Sequence, residues 1–151
     1  MVAKIAGYET TFITRGELSE EGLKALKDRL ASVVTQYDGS LVLSEDLGRK
    51  TLAYPIQKET RGQYTYMVYS GKGDVVAEME RNLRLHENVL RFLTVNLQKE
   101  FSQEAFLTRR AEIQAAAKRR EEERDARREE RRAARQVEDD YGDDHFGGDE
   151  E

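Results

Sequence analysis

Leu23, Leu26, Leu30, Val33 and Tyr37 recur at spacings of 3, 4, 3 and 4, the period of one buried face of an α-helix. This stripe constrains the whole chain, because an amphipathic helix cannot hide its apolar face alone and needs a sheet or another helix to lie on. Ser19-Glu20-Glu21 gives the start, a hydroxyl cap followed by acids where the helix dipole favours them. Asp38-Gly39 gives the end, with the glycine expected in the left-handed position.

Strand-like segments flank the stripe. Tyr8 to Thr14 mixes aromatic and β-branched residues, with Tyr8, Thr10 and Phe12 on one face. Leu41 and Leu43 alternate into a second strand that is expected to bulge near Gly48 and to run as far as Tyr54. Gln57 to Gly62 reads as a polar connection and Gln63 to Ser70 as a third strand, so the two runs make a hairpin. Asp74 is placed to cap a second helix, with Val76, Met79 and Leu83 on its buried face and an end near Leu85 or His86. Val89 to Leu97 then gives a fourth strand, with Leu93, Val95 and Leu97 on one face and Leu90 and Phe92 on the other.

The order β-α-β-β-α-β predicts an α+β, ferredoxin-like domain: a four-stranded antiparallel sheet with two helices on one face. In that topology the second strand is an edge. An edge accommodates Pro55, the chain's single proline, which has no N–H for a ladder and would break a central strand.

Charge is distributed unevenly. The formal net charge is −5, yet residues 1–99 carry 14 basic and 13 acidic groups, residues 100–137 carry 11 and 9, and residues 138–151 carry none and 8. The acidity belongs to the end of the chain, and the rest is slightly basic, compatible with a polyanionic partner. With 36% charged residues, the average is too polar for a core that uses the full length. Three segments are therefore expected: a domain over 1–99, a charged helical or disordered extension over 100–136 and an acidic, disordered tail over 137–151.

Several chemistries are disfavoured. The sequence has no cysteine, which excludes disulfides, thiolate nucleophiles and Cys-ligated zinc and suits a reducing compartment. No apolar run approaches a membrane span or a signal peptide, so a soluble cytoplasmic protein without a membrane partner is expected. The two histidines, His86 and His145, have no Cys or His neighbour at ligand spacing. No catalytic residue, cofactor, metal or small-molecule substrate is implied.

The cations of the first hundred residues carry more information. Arg49, Lys50, Lys58, Arg61, Arg84 and Arg91 fall at strand ends and connections, interleaved with Tyr54, Tyr64 and Tyr66. Together with Lys4 they form a candidate surface for holding phosphates and stacking bases. A balanced, merely solvated surface is the plain alternative.

Gly48 to Ile56 (GRKTLAYPI), Lys58, Gly62-Gln63-Tyr64 and Asn82 to Val95 (NLRLHENVLRFLTV), with the opening Tyr8-Glu9 strand, occur in the order and at the separations of a known family. Over about residues 6–99 the chain resembles the bacterial small-subunit ribosomal protein S-six family. Thr51 departs mildly from that pattern, and the extension is longer and richer in arginine than in short members. The resemblance implies a structural, non-enzymatic protein that binds the central domain of small-subunit ribosomal RNA as a heterodimer with the eighteenth small-subunit protein, in assembly of the platform. It also implies that Arg84, His86, Asn88 and Arg91 face RNA, and that the Gly48-Arg49-Lys50 run belongs to the RNA or partner surface. Rival readings are a small ferredoxin-like enzyme and a regulatory module that binds messenger RNA or a small ligand.

The extension has no Gly or Pro before Gly142 and is rich in Ala, Glu and Arg, which favours helix. At about 100° per residue, Arg120, Arg124, Arg127, Arg128, Arg131, Arg132 and Arg135 share an arc of roughly 140°, while Glu122, Glu123, Asp125, Glu129 and Glu130 fall outside it. Arg120, Arg124 and Arg128 are therefore candidates for RNA contact, against the alternative of a solvated helix. In the tail, His145 and its neighbouring aspartates are an alternative metal-binding reading, and the family resemblance implies a further one, addition of glutamates after Glu150-Glu151.

Overall fold

Helix α1 (Glu20–Gln36) buries Leu23, Leu26, Leu30, Val33 and Val34, the stripe read from the sequence with Val34 added and with Tyr37 only half-buried, as the C-cap just beyond the helix. The Ser19 hydroxyl accepts the N–H of Gly22 at 3.1 Å and starts the helix, satisfying one of its unpaired donors. At the other end Asp38, with φ of 55°, takes the left-handed position assigned above to Gly39. Gly39 is needed for a different reason. A Cβ there would lie 2.6 Å from the carbonyl oxygen of Ser70 and 2.9 Å from that of Val34, so a side chain would push the helix end off the sheet.

The computed structural model describes the backbone of residues 5–142 and the side chains of residues 5–136. Within the first unit, which ends at Gln103, α1 is preceded by β1 (Ala6–Arg15) and followed by β2 (Ser40–Ile56), β3 (Glu59–Gly71), α2 (Gly73–Leu85) and β4 (Val89–Gln98). The strands form one antiparallel sheet in the order β2-β3-β1-β4, the ferredoxin-like arrangement. One face of the sheet carries Thr10, Phe12, Met67 and Tyr69, which pack with the stripes of α1 and α2 into the core. Of the polar atoms in this core, the Thr10 hydroxyl lies 3.0 Å from both the Tyr69 and Thr94 hydroxyls, whereas the buried Thr14 hydroxyl has no hydrogen-bond partner among the described residues. Burial pushes the Tyr69 phenol above its ordinary pKa.

Two local expectations are corrected. Helix α2 begins at Gly73, with Lys72 in the cap position, and Asp74 lies in the first turn, where its carboxylate accepts the N–H of Val75 at 3.1 Å. Its buried face is Val75, Met79, Asn82 and Leu83, with Val76 half-buried at the margin. Val75, Met79 and Leu83 stand four apart and so line up on one side. The second correction concerns the hairpin. Strand β3 starts at Glu59, and the connection is only Gln57-Lys58, both with positive φ (48° and 67°), flanked by the pair Ile56 and Glu59. This is the turn with two left-handed residues that matches strand twist, built without the Asn-Gly or Asp-Gly that announces it.

Strand β2 is irregular, as an edge strand permits. Its register shifts between Asp46 and Gly48, where Gly48 has φ of 88°, and again between Thr51 and Ile56. Pro55 falls in the second gap, where no ladder bond is required of it.

The second unit begins at Glu104 and consists, among the described residues, of helix α3 (Gln103–Gly142). Every side chain from Ala117 to Gln136 is exposed. No helix among the described residues is long and apolar enough to cross a membrane.

Candidate nucleic-acid interface

The face of the sheet opposite the two helices is open in part: Val68 on it is fully buried and Phe101 packs on Gly7, while the β4 side is exposed. Register places Glu9, Thr11, Ile13 and Arg15 of β1 on it, beside Val95, Leu93 and Arg91 of β4 and Val68, Tyr66, Tyr64 and Gly62 of β3. Two of its apolar side chains are exposed to water, Leu93 at 67% and Val95 at 42%. Strand alternation gives these residues no helix to pack against, so their exposure follows from topology.

Beyond the end of the shared ladder the β2–β3 hairpin folds over this face. Gly62 permits it: a Cβ there would lie 2.4 Å from the Ile13 Cγ2 and 3.4 Å from the Leu52 Cδ2, and Leu52 is buried in the contact. The fold-over brings Tyr54 of β2 to Arg91 of β4. The guanidinium Nη1 donates to the Tyr54 hydroxyl, and the guanidinium carbon lies 5.1 Å from the ring centroid. Nearby, the Lys50 ammonium lies 5.4 Å from the Tyr64 ring centroid. Two cation–aromatic pairs thus share one face, and a phosphate can meet the cation while a base meets the ring.

Arg15 sets the relative position of the two turns that carry other candidates. Its Nη1 donates to Glu59 at 2.7 Å and its Nη2 to the Gln57 side chain at 3.1 Å, which anchors the hairpin turn holding Lys58. Its backbone N–H donates at 2.9 Å to the carbonyl of Asn88, in the turn between α2 and β4. Arg15 is not among the candidates read from the sequence. Only its position at the end of the first strand hinted at a role, because its partners are remote along the chain.

The structure divides the other candidates. Arg49 and Lys50 are adjacent in an edge strand and point to opposite faces: Lys50 belongs to the open face, whereas Arg49 pairs with Gln63 and lines a groove with Thr14, Leu18, Lys27 and Asp46 on the helical side. Arg84 lies 5.7 Å from the Phe92 ring, on the helical side of β4, away from Arg91. His86 is the C-cap of α2, and its Nδ1 accepts the N–H of Asn88 at 3.2 Å, so this nitrogen is used to shape the turn. Lys58 and Arg61 are exposed. Tyr66, grouped above with the base-stacking tyrosines, donates to Glu9 at 2.6 Å and so sits beside an anion. Lys4 and the tail with His145 lie outside the described residues. Among the described residues no cluster of His, Asp and Glu is arranged to hold a metal.

On α3 the arginines keep the helical-wheel arrangement expected of them, with two additions. Glu121 falls inside the arginine arc, and Arg109 and Arg110 extend the arc toward the N-terminus. Lys118 and Glu122 form an i,i+4 ion pair at 3.9 Å beside it.

The scaffold is a ferredoxin-like domain whose sheet carries exposed apolar side chains beside cation–aromatic pairs. Its family follows from comparison. A sequence model of the family Ribosomal protein S6 matches residues 7–96. The small ribosomal subunit protein bS6 of Pelobacter propionicus is 47% identical over 90 residues, covering 60% of this chain and 70% of its own. That of Trichlorobacter lovleyi is 41% identical over 109 residues, covering 72% and 88%. The crystal structure of 30S ribosomal protein S6 from Thermotoga maritima superposes with a TM-score of 0.59 at 24% identity, covering 75% of this chain and 99% of that one, which supports the fold. The chain belongs to the ribosomal protein S6 family. It is accordingly a structural protein of the small ribosomal subunit, cytoplasmic in bacteria, and not an enzyme.

Proposed function

We propose that the first unit binds the central domain of small-subunit ribosomal RNA together with the eighteenth small-subunit protein, and that this supports platform assembly and translation. The observation that carries the reading is the division of the open face. Leu93 and Val95 offer exposed apolar surface of the kind that a protein partner covers. The cation–aromatic pairs Arg91/Tyr54 and Lys50/Tyr64 stand beside it, with Lys58 and Arg61 along the hairpin, and offer phosphate and base contacts. Arg84, His86 and Asn88 supply the adjoining turn.

In this reading the sheet positions RNA more than it reads sequence. Cations fixed on a rigid sheet neutralise phosphates and release counterions, so affinity falls with salt in proportion to the number of contacts. Arg15 acts by holding the two turns in register. The test is assembly of the protein with a central-domain RNA fragment and the eighteenth protein, followed by analytical ultracentrifugation. Leu93→Asp is expected to abolish the protein heterodimer, and the pair Lys50→Gln and Arg91→Gln to weaken RNA binding and lower its salt dependence. Wild-type complexes from both variants would contradict the proposal.

A further inference from the structure

We propose that α3 is a second RNA-binding element, whose arginine face grips the phosphate backbone of duplex RNA independently of the sheet. Three observations carry this. Every side chain from Ala117 to Gln136 is exposed, so this stretch of helix draws on its own propensity rather than on a buried face. Arg120, Arg124, Arg128 and Arg132 form one i,i+4 ladder, and Arg127, Arg131 and Arg135 form a second beside it. Like charges at these spacings oppose the helix that carries them, an effect that the acids at Glu121, Glu123, Asp125 and Glu129 offset only in part and that a bound polyanion would relieve.

The same segment argues against a protein partner. Between Ile113 and Gln136 its apolar side chains are all alanines, with Val137 and Tyr141 only at the far end. It therefore lacks the large apolar or aromatic anchors that a protein interface desolvates, and it has no apolar heptad for a coiled coil. What it offers is a straight cationic edge about 22 Å long from Arg120 to Arg135, at about 1.5 Å per residue. Duplex RNA is recognised largely by shape and phosphate position, and a rigid charged edge suits that recognition.

The test compares two full-length variants with the same net charge. One carries Arg128→Gln and Arg131→Gln within the stripe, the other Lys118→Gln and Arg119→Gln outside it. Each is titrated with a mixed-sequence duplex RNA of about 20 base pairs over a range of salt, a length chosen to exceed the stripe. The stripe variant is expected to bind at least tenfold more weakly at low salt, with a salt slope smaller by roughly 2, while the outer variant stays near wild type. Circular dichroism checks the helix, and replacing the same two arginines by lysine is expected to restore the slope. Equal losses in the two variants would mean that net charge alone acts, and would overturn the proposal. So would polyglutamate binding as tightly as the duplex, the result expected of an acidic protein partner. The proposal is independent of the ribosomal role of the sheet: loss of duplex binding with normal subunit incorporation, or the reverse, separates the two.

Discussion

Arg91 and Tyr54 meet across the open face of the sheet, although β4 and β2 form its opposite edges. Only the hairpin's passage over Ile13 makes this possible, so the pair reports whether that passage is intact. Tyr54→Phe retains the ring under the guanidinium and loses the hydroxyl. It is expected to lower central-domain RNA affinity by a few-fold, whereas Arg91→Glu removes a phosphate contact and adds repulsion, and is expected to cost at least tenfold at low salt. Filter binding over a salt series checks both.

Gly62 tests the fold-over itself. A methyl group there meets Ile13 and lies 3.2 Å from the carbonyl oxygen of Thr14, so Gly62→Ala is expected to destabilise the first unit by about 1–3 kcal/mol. Chemical denaturation measures it. Adding Ile13→Ala opens the space and is expected to recover part of the loss, whereas strict additivity of the two costs would exclude the contact.

The Arg15 and Glu59 side chains are 32% and 27% exposed, so solvent screening limits the worth of their ion pair to less than about 1 kcal/mol. Their value lies in position. Arg15→Met is expected to leave thermal stability almost unchanged while raising hydrogen exchange in the hairpin turn and weakening RNA binding. A variant that unfolds early without losing affinity would assign Arg15 to stability alone.

Tyr69 connects stability to pH. Its phenol is neutral in the core, and burial raises its pKa above the ordinary 10.0. The neutral form is thus favoured by folding. That contribution is fully present below the unfolded pKa and is lost as pH rises through the folded value, where the unfolded chain binds fewer protons. Tyr69→Phe is expected to cost about 1 kcal/mol at neutral pH through the lost hydroxyl pairing and to flatten the decline in stability above about pH 10. Denaturation midpoints from pH 7 to 11 check the sign.

Where one physical rule governed a segment, its structure was legible in the sequence. The α1 stripe, the Ser19 cap, the bulge at Gly48 and the edge position of Pro55 each follow from periodicity or from a missing donor. Competing solutions obscured the rest. A left-handed residue was needed after α1, and Asp38 tolerates that conformation, while Gly39 answers a close approach visible only in three dimensions. Gln57 and Lys58 adopt positive φ without a glycine because long β2 and β3 pairing imposes the turn. The candidate surface was legible as residue types but not as faces: alternation sends Arg49 and Lys50 apart, and Arg15 acts through partners that tertiary structure alone brings near.

Cosedimentation with ribosomal subunits through a sucrose gradient tests the central claim most directly, comparing the full chain with one ended at Gln103. The cut follows Phe101, whose N–H donates to the carbonyl of Ile5 at 2.9 Å and whose ring packs on Gly7, so it leaves the first unit whole. Both chains are expected to follow the small subunit, the shorter one washing off at lower salt. If neither chain travels with the small subunit, the assignment of the sheet to ribosomal RNA is wrong.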